Sequence, residues 1–542
     1  MAGATDRPSL FLGVDVGTGS TRAGVFDASG RLLGTGARTI RIWRAGARAE
    51  QSSEDIWQAV CRAVRAALAE ADVAPGDLAG IGFDATCSLV ALSPEGAPVS
   101  VSASGDTARN IIVWMDQRAT DQAARINATG HRVLEYAGGR ISPEMQTPKL
   151  LWLKENLPDA YASAGHFLDL ADYLTWRATG DLTRSSCTLT CKWTYLAHEG
   201  GYDADFFNRN GLAELCDDGF ARIGQAVARP GDALGHGLTR AAAVALGLEE
   251  GTPVGAGLID AHAGGVGTLG AAGAPAETRM GYVFGTSACT MASSARETFV
   301  PGVWGPYYDA MLPGFWLNEG GQSAAGEAIS HLVRMHPHFP ETSAAATAEG
   351  LSVPDYLLRE AAQRSERPEE MIVRAGEVIV VPDFLGNRAP LSDPSARAII
   401  AGLDLGGDLA AHVALYVAGL AGIGYGLRQI LEAQASRGIA PDTVVLSGGA
   451  GASPLIKQLL ADATGIATAE PATSEPVLLG SAMLGAVASG RFDTLMTAMA
   501  AMSRIARRFD PAQGRIRALH DRRYRRFTAL QAAAGAGAEG AA

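Results

Sequence analysis

The chain has 542 residues, 47% of them apolar and 19% charged, which is the composition of a folded globular protein and excludes a disordered or fibrous one. Its 45 basic and 57 acidic residues leave a net charge of -12, an argument against a nucleic-acid or anionic-membrane binder but not against an anionic substrate held by backbone N–H groups. Six cysteines are too few for a disulfide framework, so reduced thiols in a cytoplasmic protein are expected.

The length allows two large α/β domains or three to four smaller ones. Asp6-Arg7-Pro8 precedes the first apolar run, so the N-terminus does not read as a signal peptide. Leu10-Phe-Leu-Gly-Val-Asp15 reads as a buried strand, Val16-Gly-Thr-Gly-Ser20 as a turn and Thr21–Phe26 as a second strand. Together they form a hairpin with a polar, glycine-rich tip. Behind Ser52 and Ser53, Ile56, Val60, Val64 and Leu68 recur every four residues and predict a capped helix. Gly80–Phe83 and Ile111–Trp114 read as strands that end at Asp84 and near Asp116. Strands alternating with helices indicate an α/β protein. Cys187 and Cys191 are four apart, but no CxxC pair or His cluster beside them supports zinc.

Pro253–Asp260 is another strand ending in an acid. Gly281–Phe284 then leads into Gly285-Thr-Ser287 and Ala288–Met291, a second strand–tip–strand unit. The chain therefore reads as two related halves whose tips face one cleft. The expected divisions are 1–252, 253–505 and a terminal helix and tail over 506–542. Val413–Leu427 is the most apolar stretch, and its 15 residues fall short of the roughly 20 that span a bilayer. Thr443–Ser447 reads as a strand, Gly448-Gly-Ala-Gly451 as a tight turn, and Ser453-Pro454 as a helix start. Nine arginines lie between Arg504 and Arg526. Tyr524, Phe527 and Leu530 share one helical face there, which fits a solvated terminal helix better than a nucleic-acid arm.

The first tip lacks the Gly-Lys-Ser/Thr of a Walker loop. It offers small-residue N–H groups and the hydroxyls of Thr18 and Ser20 to phosphate oxygens. Arg22 adds charge, and Asp15 suits a divalent cation through water. A nucleoside triphosphate between two lobes would use both tips, with Gly448-Gly449-Ala450 leaving room for an adenosine. Gly265-x-Gly-x-x-Gly270 matches a dinucleotide pattern but follows its strand too late, so helix packing at a lobe interface is the better account. Asp260 is the strongest candidate base for an alcohol acceptor. His262 reads as structural, through a local hydrogen bond. Lys192 and Glu319 lie beside aromatics, as in sugar pockets.

These motifs together resemble the FGGY carbohydrate kinase family, within the actin and sugar-kinase ATPase superfamily. The resemblance runs from about Leu10 to about Leu530. It is carried by Gly13-Val-Asp-Val-Gly-Thr-Gly-Ser20, Gly255-Ala-Gly-Leu-Ile-Asp-Ala-His262, Phe284-Gly-Thr-Ser287, Gly386-Asn-Arg-Ala-Pro390, Leu446-Ser-Gly-Gly-Ala450 and Leu478–Gly485. Gly82-Phe-Asp-Ala-Thr-Cys-Ser88, Val113-Trp-Met-Asp116 with Arg118, and Trp316–Ser323 look like its D-ribulokinase branch, which commonly has His where this chain has Gln117. The resemblance implies two actin-like, RNase H-like α/β lobes around a cleft. It implies a ketose site lined by Asp84, Trp114, Asp116, Lys192, Asp260 and Glu319. ATP would bind at Gly17, Thr18, Gly19, Ser20, Arg22, Gly285, Thr286, Ser287, Gln322, Gly448, Gly449 and Ala450, with Mg²⁺ held by Asp15 and Asp260 through water. The implied reaction takes D-ribulose to D-ribulose 5-phosphate. L-ribulose, ribitol and D-xylulose are rival substrates, and a chaperone-like ATPase on the same fold is the rival of another class. A homodimer is left open, with no nucleic-acid or membrane partner.

Overall fold

A computed structural model describes residues 9–271 and 274–539; Asp6-Arg7-Pro8 and the last three residues of the tail lie outside them. The first sheet has five strands, in the order Leu32–Thr39, Ser20–Asp27, Leu10–Val16, Leu78–Ala85, Val254–Ile259. The first three are antiparallel and the last two run parallel to Leu10–Val16. The second sheet repeats that order with Trp316–Gln322, Ala288–Ser294, Arg279–Phe284, Thr443–Ser447 and Ala467–Pro471. Its directions are the same. Trp304–Tyr308 and Ile505–Phe509 extend it at the two edges. Two lobes of one topology are therefore present, as the paired hairpins predict. A smaller five-stranded sheet, from Trp43–Ala45 to His166–Asp169, widens the first lobe.

The expected helix starts hold. Ser52 Oγ accepts from Asp55 N ahead of helix Ser53–Ala71, and Ser453 accepts from Leu455 N ahead of Pro454–Thr464. Three expectations need correction. Val254–Ile259 pairs with Leu78–Ala85 in the first sheet, so the lobes divide after residue 259 and not at Thr252. Ile505–Phe509 pairs with Ala467–Pro471, so the second lobe extends past residue 505. The helix Gly514–Glu539 that follows packs on that lobe, with Phe527 buried. The Val413–Leu427 run belongs to a 27-residue helix, Leu409–Ala435, long and apolar enough to cross a membrane. Its apolar window is 78% buried in the second-lobe core.

Helices Asp260–Leu269 and Pro476–Ala488 cross where the lobes meet. A Cβ on Gly267 would sit 1.9 Å from Pro476 O, and one on Gly480 1.9 Å from Ala263 O. The second helix also lies directly on the first sheet. A Cβ at Gly13, Gly80 or Gly82 would come within 2.0–2.1 Å of the carbonyls of Leu478, Gly485 and Ser481. Backbone touches backbone along this seam, which only glycine permits. The Gly265–Gly270 repeat is thus packing, as expected.

Candidate active site

Each hairpin tip is closed by one backbone bond, Gly17 N to Ser20 O and Gly285 N to Ser287 O, both 2.9 Å. Gly17, Thr18, Arg22, Gly285, Thr286 and Ser287 line one cavity of about 330 Å³. Asp15, Trp114, Lys192, Asp260 and Glu319 line the same cavity. The two tips and the expected sugar residues therefore converge, although they are spread over some 300 positions of the chain.

Asp260 is the first residue of the junction helix, and Ala261 N donates to its Oδ1 at 2.8 Å. Burial, and then the charge of Asp15, push its pKa up to about 6. Such a carboxylate is ionised at neutral pH and is more basic than a solvated one. Asp15 is gripped by Arg22, whose Nε and Nη2 donate to Oδ2 at 2.9 and 2.6 Å. Arg22 Nη1 also donates to Glu475 Oε2 at 2.7 Å. Burial disfavours the Arg22 charge, but Asp15 and Glu475 hold its pKa above the ordinary value. Arg22 lines the cavity as the bridge between these two acids, not as a free phosphate ligand.

Asp84 is fully buried and absent from the cavity wall. Ser481 Oγ donates to its Oδ2, and Oδ1 has no partner. Burial and the neighbouring Asp15 raise its pKa well above the carboxylate range. Asp84 therefore stands behind Asp15 and does not face a sugar. Asp116 is likewise buried: Arg118 Nε and Nη2 donate to it at 2.8 Å each, and Ala49 N at 2.6 Å. Its task is to anchor the strand end that carries Trp114. That indole donates through Nε1 to Thr18 Oγ1 at 3.0 Å. Lys149, buried and pushed down to about 8 by that burial, donates to the Val113 and Trp114 carbonyls at 3.2 and 3.3 Å.

Gln322 is held at both ends: Oε1 accepts from Tyr282 Oη at 2.9 Å, and Nε2 donates to Ile423 O at 3.1 Å. It lies outside the cavity wall. Gly19 and Ser20 also fall outside that wall. Gly448, Gly449 and Ala450 sit behind the second tip. A Cβ on Gly326 would be 3.2 Å from Ala450 Cβ and 2.6 Å from Gly285 O.

Glu319 accepts from Cys289 Sγ at 3.4 Å and lies 3.3 Å from His262 Nε2. Burial opposes its charge, but Lys192 and the His262 bond hold it well below the carboxylate range. Burial opposes the Lys192 charge too, and Cys87 and Glu319 raise its pKa. The His262 bond is not local, as the sequence suggests. It reaches Glu319 on one side and Cys187 Sγ, at 3.1 Å, on the other. Space also brings together what spacing does not, since Cys191, His262 and Glu319 present ligand atoms within 4.8 Å of one another.

The cavity adds Thr86, Cys87, Glu144, Cys289, Trp304 and Arg388. Arg388 was visible in its glycine–proline motif and Thr86-Cys87 at a strand end. Trp304 shows only through its register with Glu319 on the neighbouring strand. Glu144 carries no sequence signal. It accepts from Gln117 Nε2 at 3.3 Å.

Asp15 and Asp260, both on the cavity wall, offer carboxylate oxygens, the donor type that fits Mg²⁺. When bound with a nucleotide, that ion supplies charge neutralisation to the phosphates.

Comparison with known proteins agrees with this geometry. Residues 10–267 match the N-terminal domain and 280–489 the C-terminal domain of the FGGY family of carbohydrate kinases. The chain is 44% identical to a human FGGY carbohydrate kinase domain-containing protein, over 98% of each chain. It is 38% identical to a D-ribulokinase of Saccharomyces cerevisiae, over 89% of this chain and 72% of that one. Among solved structures, a xylulose kinase from Rhodospirillum rubrum superposes with a TM-score of 0.78, covering 97% of this chain and 98% of that one at 22% identity. Both matched domains and both lobes are accounted for, and the chain belongs to the FGGY family of carbohydrate kinases.

Proposed function

We propose that the protein transfers the terminal phosphoryl group of ATP to the terminal hydroxyl of a pentulose, D-ribulose before others, giving D-ribulose 5-phosphate and ADP. One observation carries this reading. Asp260 stands in the wall of the cavity that joins both Gly-Thr tips to Trp114, Lys192 and Glu319. The tips supply N–H groups and hydroxyls to the phosphates. Trp114, Lys192 and Glu319 supply an apolar face, a donor and an acceptor to the sugar. Asp260 accepts the hydroxyl proton as the new P–O bond forms and the bond to the leaving ADP breaks. Similarity to a D-ribulokinase and to bacterial ribulokinases supports the choice of sugar. A cytoplasmic setting belongs to the same reading, supported by six free thiols.

A coupled ADP assay over D-ribulose, L-ribulose, D-xylulose and ribitol tests it. D-ribulose is expected to give the highest kcat/KM, and a higher value for another sugar replaces it as substrate. Asp260→Asn should lower kcat by about 10²–10⁴-fold. A near-normal rate in that variant removes Asp260 as the base.

A further inference from the structure

The motif Gly386-Asn-Arg-Ala-Pro390 has no task in the mechanism above, yet it forms a tightly built loop. Asn387 N donates to Asp393 O at 2.8 Å, and Asp393 N to Asn387 O at 2.9 Å. The Asn387 side chain closes the turn from inside: Oδ1 accepts from Leu391 N at 3.1 Å, and Nδ2 donates to Asp383 Oδ1 at 3.2 Å. Gly386 has φ +78, and a Cβ there would lie 2.8 Å from Pro394 Cα. The far side of the loop is fastened to Gly302. Ser392 Oγ donates to Gly302 O at 3.3 Å. A Cβ on Gly302 would overlap Pro390 O, at 1.7 Å.

Two residues beyond Gly302 is Trp304, and this fastening sets Arg388 against its ring. The guanidinium carbon lies 5.4 Å from the ring centroid, and the Lys192 ammonium lies 5.0 Å from the same centroid. Trp304 thus holds two cations, one from each lobe, at the cavity wall. Among the described residues, neither cation has a hydrogen-bond or ion-pair partner within the usual distances. Arg388 therefore brings a fork of five donors, all unspent, to a half-buried concave surface. A donor fork on a cavity wall matches a ligand rich in acceptor oxygens.

We infer that Arg388 is a sugar-binding residue. It takes neighbouring oxygens of the sugar. Its surroundings assign it to the sugar: Trp304, Lys192, Glu319 and Cys289 are its cavity neighbours. Glu319 complements it, an acceptor beside two donors.

This inference rests on the sugar-kinase reading, and the wild-type enzyme tests that reading separately. The sugar with the highest wild-type kcat/KM in the panel above becomes the substrate for this experiment, so failure on D-ribulose alone does not bear on Arg388. Arg388→Met and Arg388→Lys are compared with wild type in steady-state kinetics and thermal unfolding. Loss of a charged hydrogen-bond donor predicts a rise in the sugar KM of about 10- to 100-fold for Arg388→Met. Arg388→Lys should recover part of that loss, while the KM for ATP stays within about twofold. An unchanged sugar KM overturns the inference, and so does an equal rise in the KM for ATP. If Arg388→Met does not fold, Arg388→Lys decides the matter by the same split between the two KM values.

Discussion

His262 places Nε2 at 3.3 Å from Glu319 Oε2 while its Nδ1 meets Cys187 Sγ at 3.1 Å. The Glu319 carboxylate, proposed above to meet the sugar, is thus oriented by a residue two positions after Asp260. His262→Asn should raise the sugar KM by about tenfold through misplacement of Glu319, with a smaller change in kcat. Steady-state kinetics at varied sugar checks it. Equal losses in kcat and kcat/KM would instead make His262 part of the chemical step.

As the proposed base, Asp260 is expected to set the acid limb of the pH profile. Its pKa of about 6 is raised by burial and by Asp15, and the base acts only when ionised. Activity should be level near neutrality and fall about tenfold per unit below pH 6. A limb centred near pH 4 would mean that Asp260 titrates like a solvated carboxylate.

Asp15 and Glu475 share Arg22, but different outcomes follow from their removal. Arg22 and Glu475 are partly exposed, with 38% and 27% of their side chains open. Glu475→Gln should therefore cost less than about 1 kcal/mol of stability. Asp15→Asn removes the carboxylate charge from the proposed cation site and leaves Arg22 half-paired. The Mg²⁺ concentration for half-maximal rate should rise several-fold, read by titrating Mg²⁺ at fixed ATP. An unchanged Mg²⁺ requirement takes Asp15 out of that site.

The glycine seam predicts a sharp contrast in stability. Gly480→Ala forces a methyl to within 1.9 Å of a backbone carbonyl, and overpacking of this kind costs about 1–3 kcal/mol or more. Gly19→Ala meets nothing within 4 Å and should leave stability unchanged. Urea unfolding of the two variants separates them.

Much of the site could be read from residues alone, because a hairpin tip and a strand-end acid have local signatures. Asp15, Asp260 and both Gly-Thr tips fell where the pattern put them. The acids Asp84 and Asp116 did not, since a strand-end aspartate looks alike whether it meets a cleft or a buried partner. Only the fold shows that Ser481 and Arg118 occupy them. The sheet that takes Val254–Ile259 was equally hidden, because an apolar run reports burial and not which neighbour it pairs with. Helix Leu409–Ala435 outran its apolar stretch because polar residues such as Arg428, Gln429 and Glu432 continue the turn.

Helix Pro476–Ala488 covers a sheet whose strands are complete by residue 259. On a ribosome the first lobe is therefore made long before its lid arrives. At about 5–20 residues per second, the stretch from Leu269 to Pro476 takes on the order of 10–40 s to emerge. Through that interval the glycine-lined face of the first sheet is bare, and the nascent chain depends on its second half to finish its first.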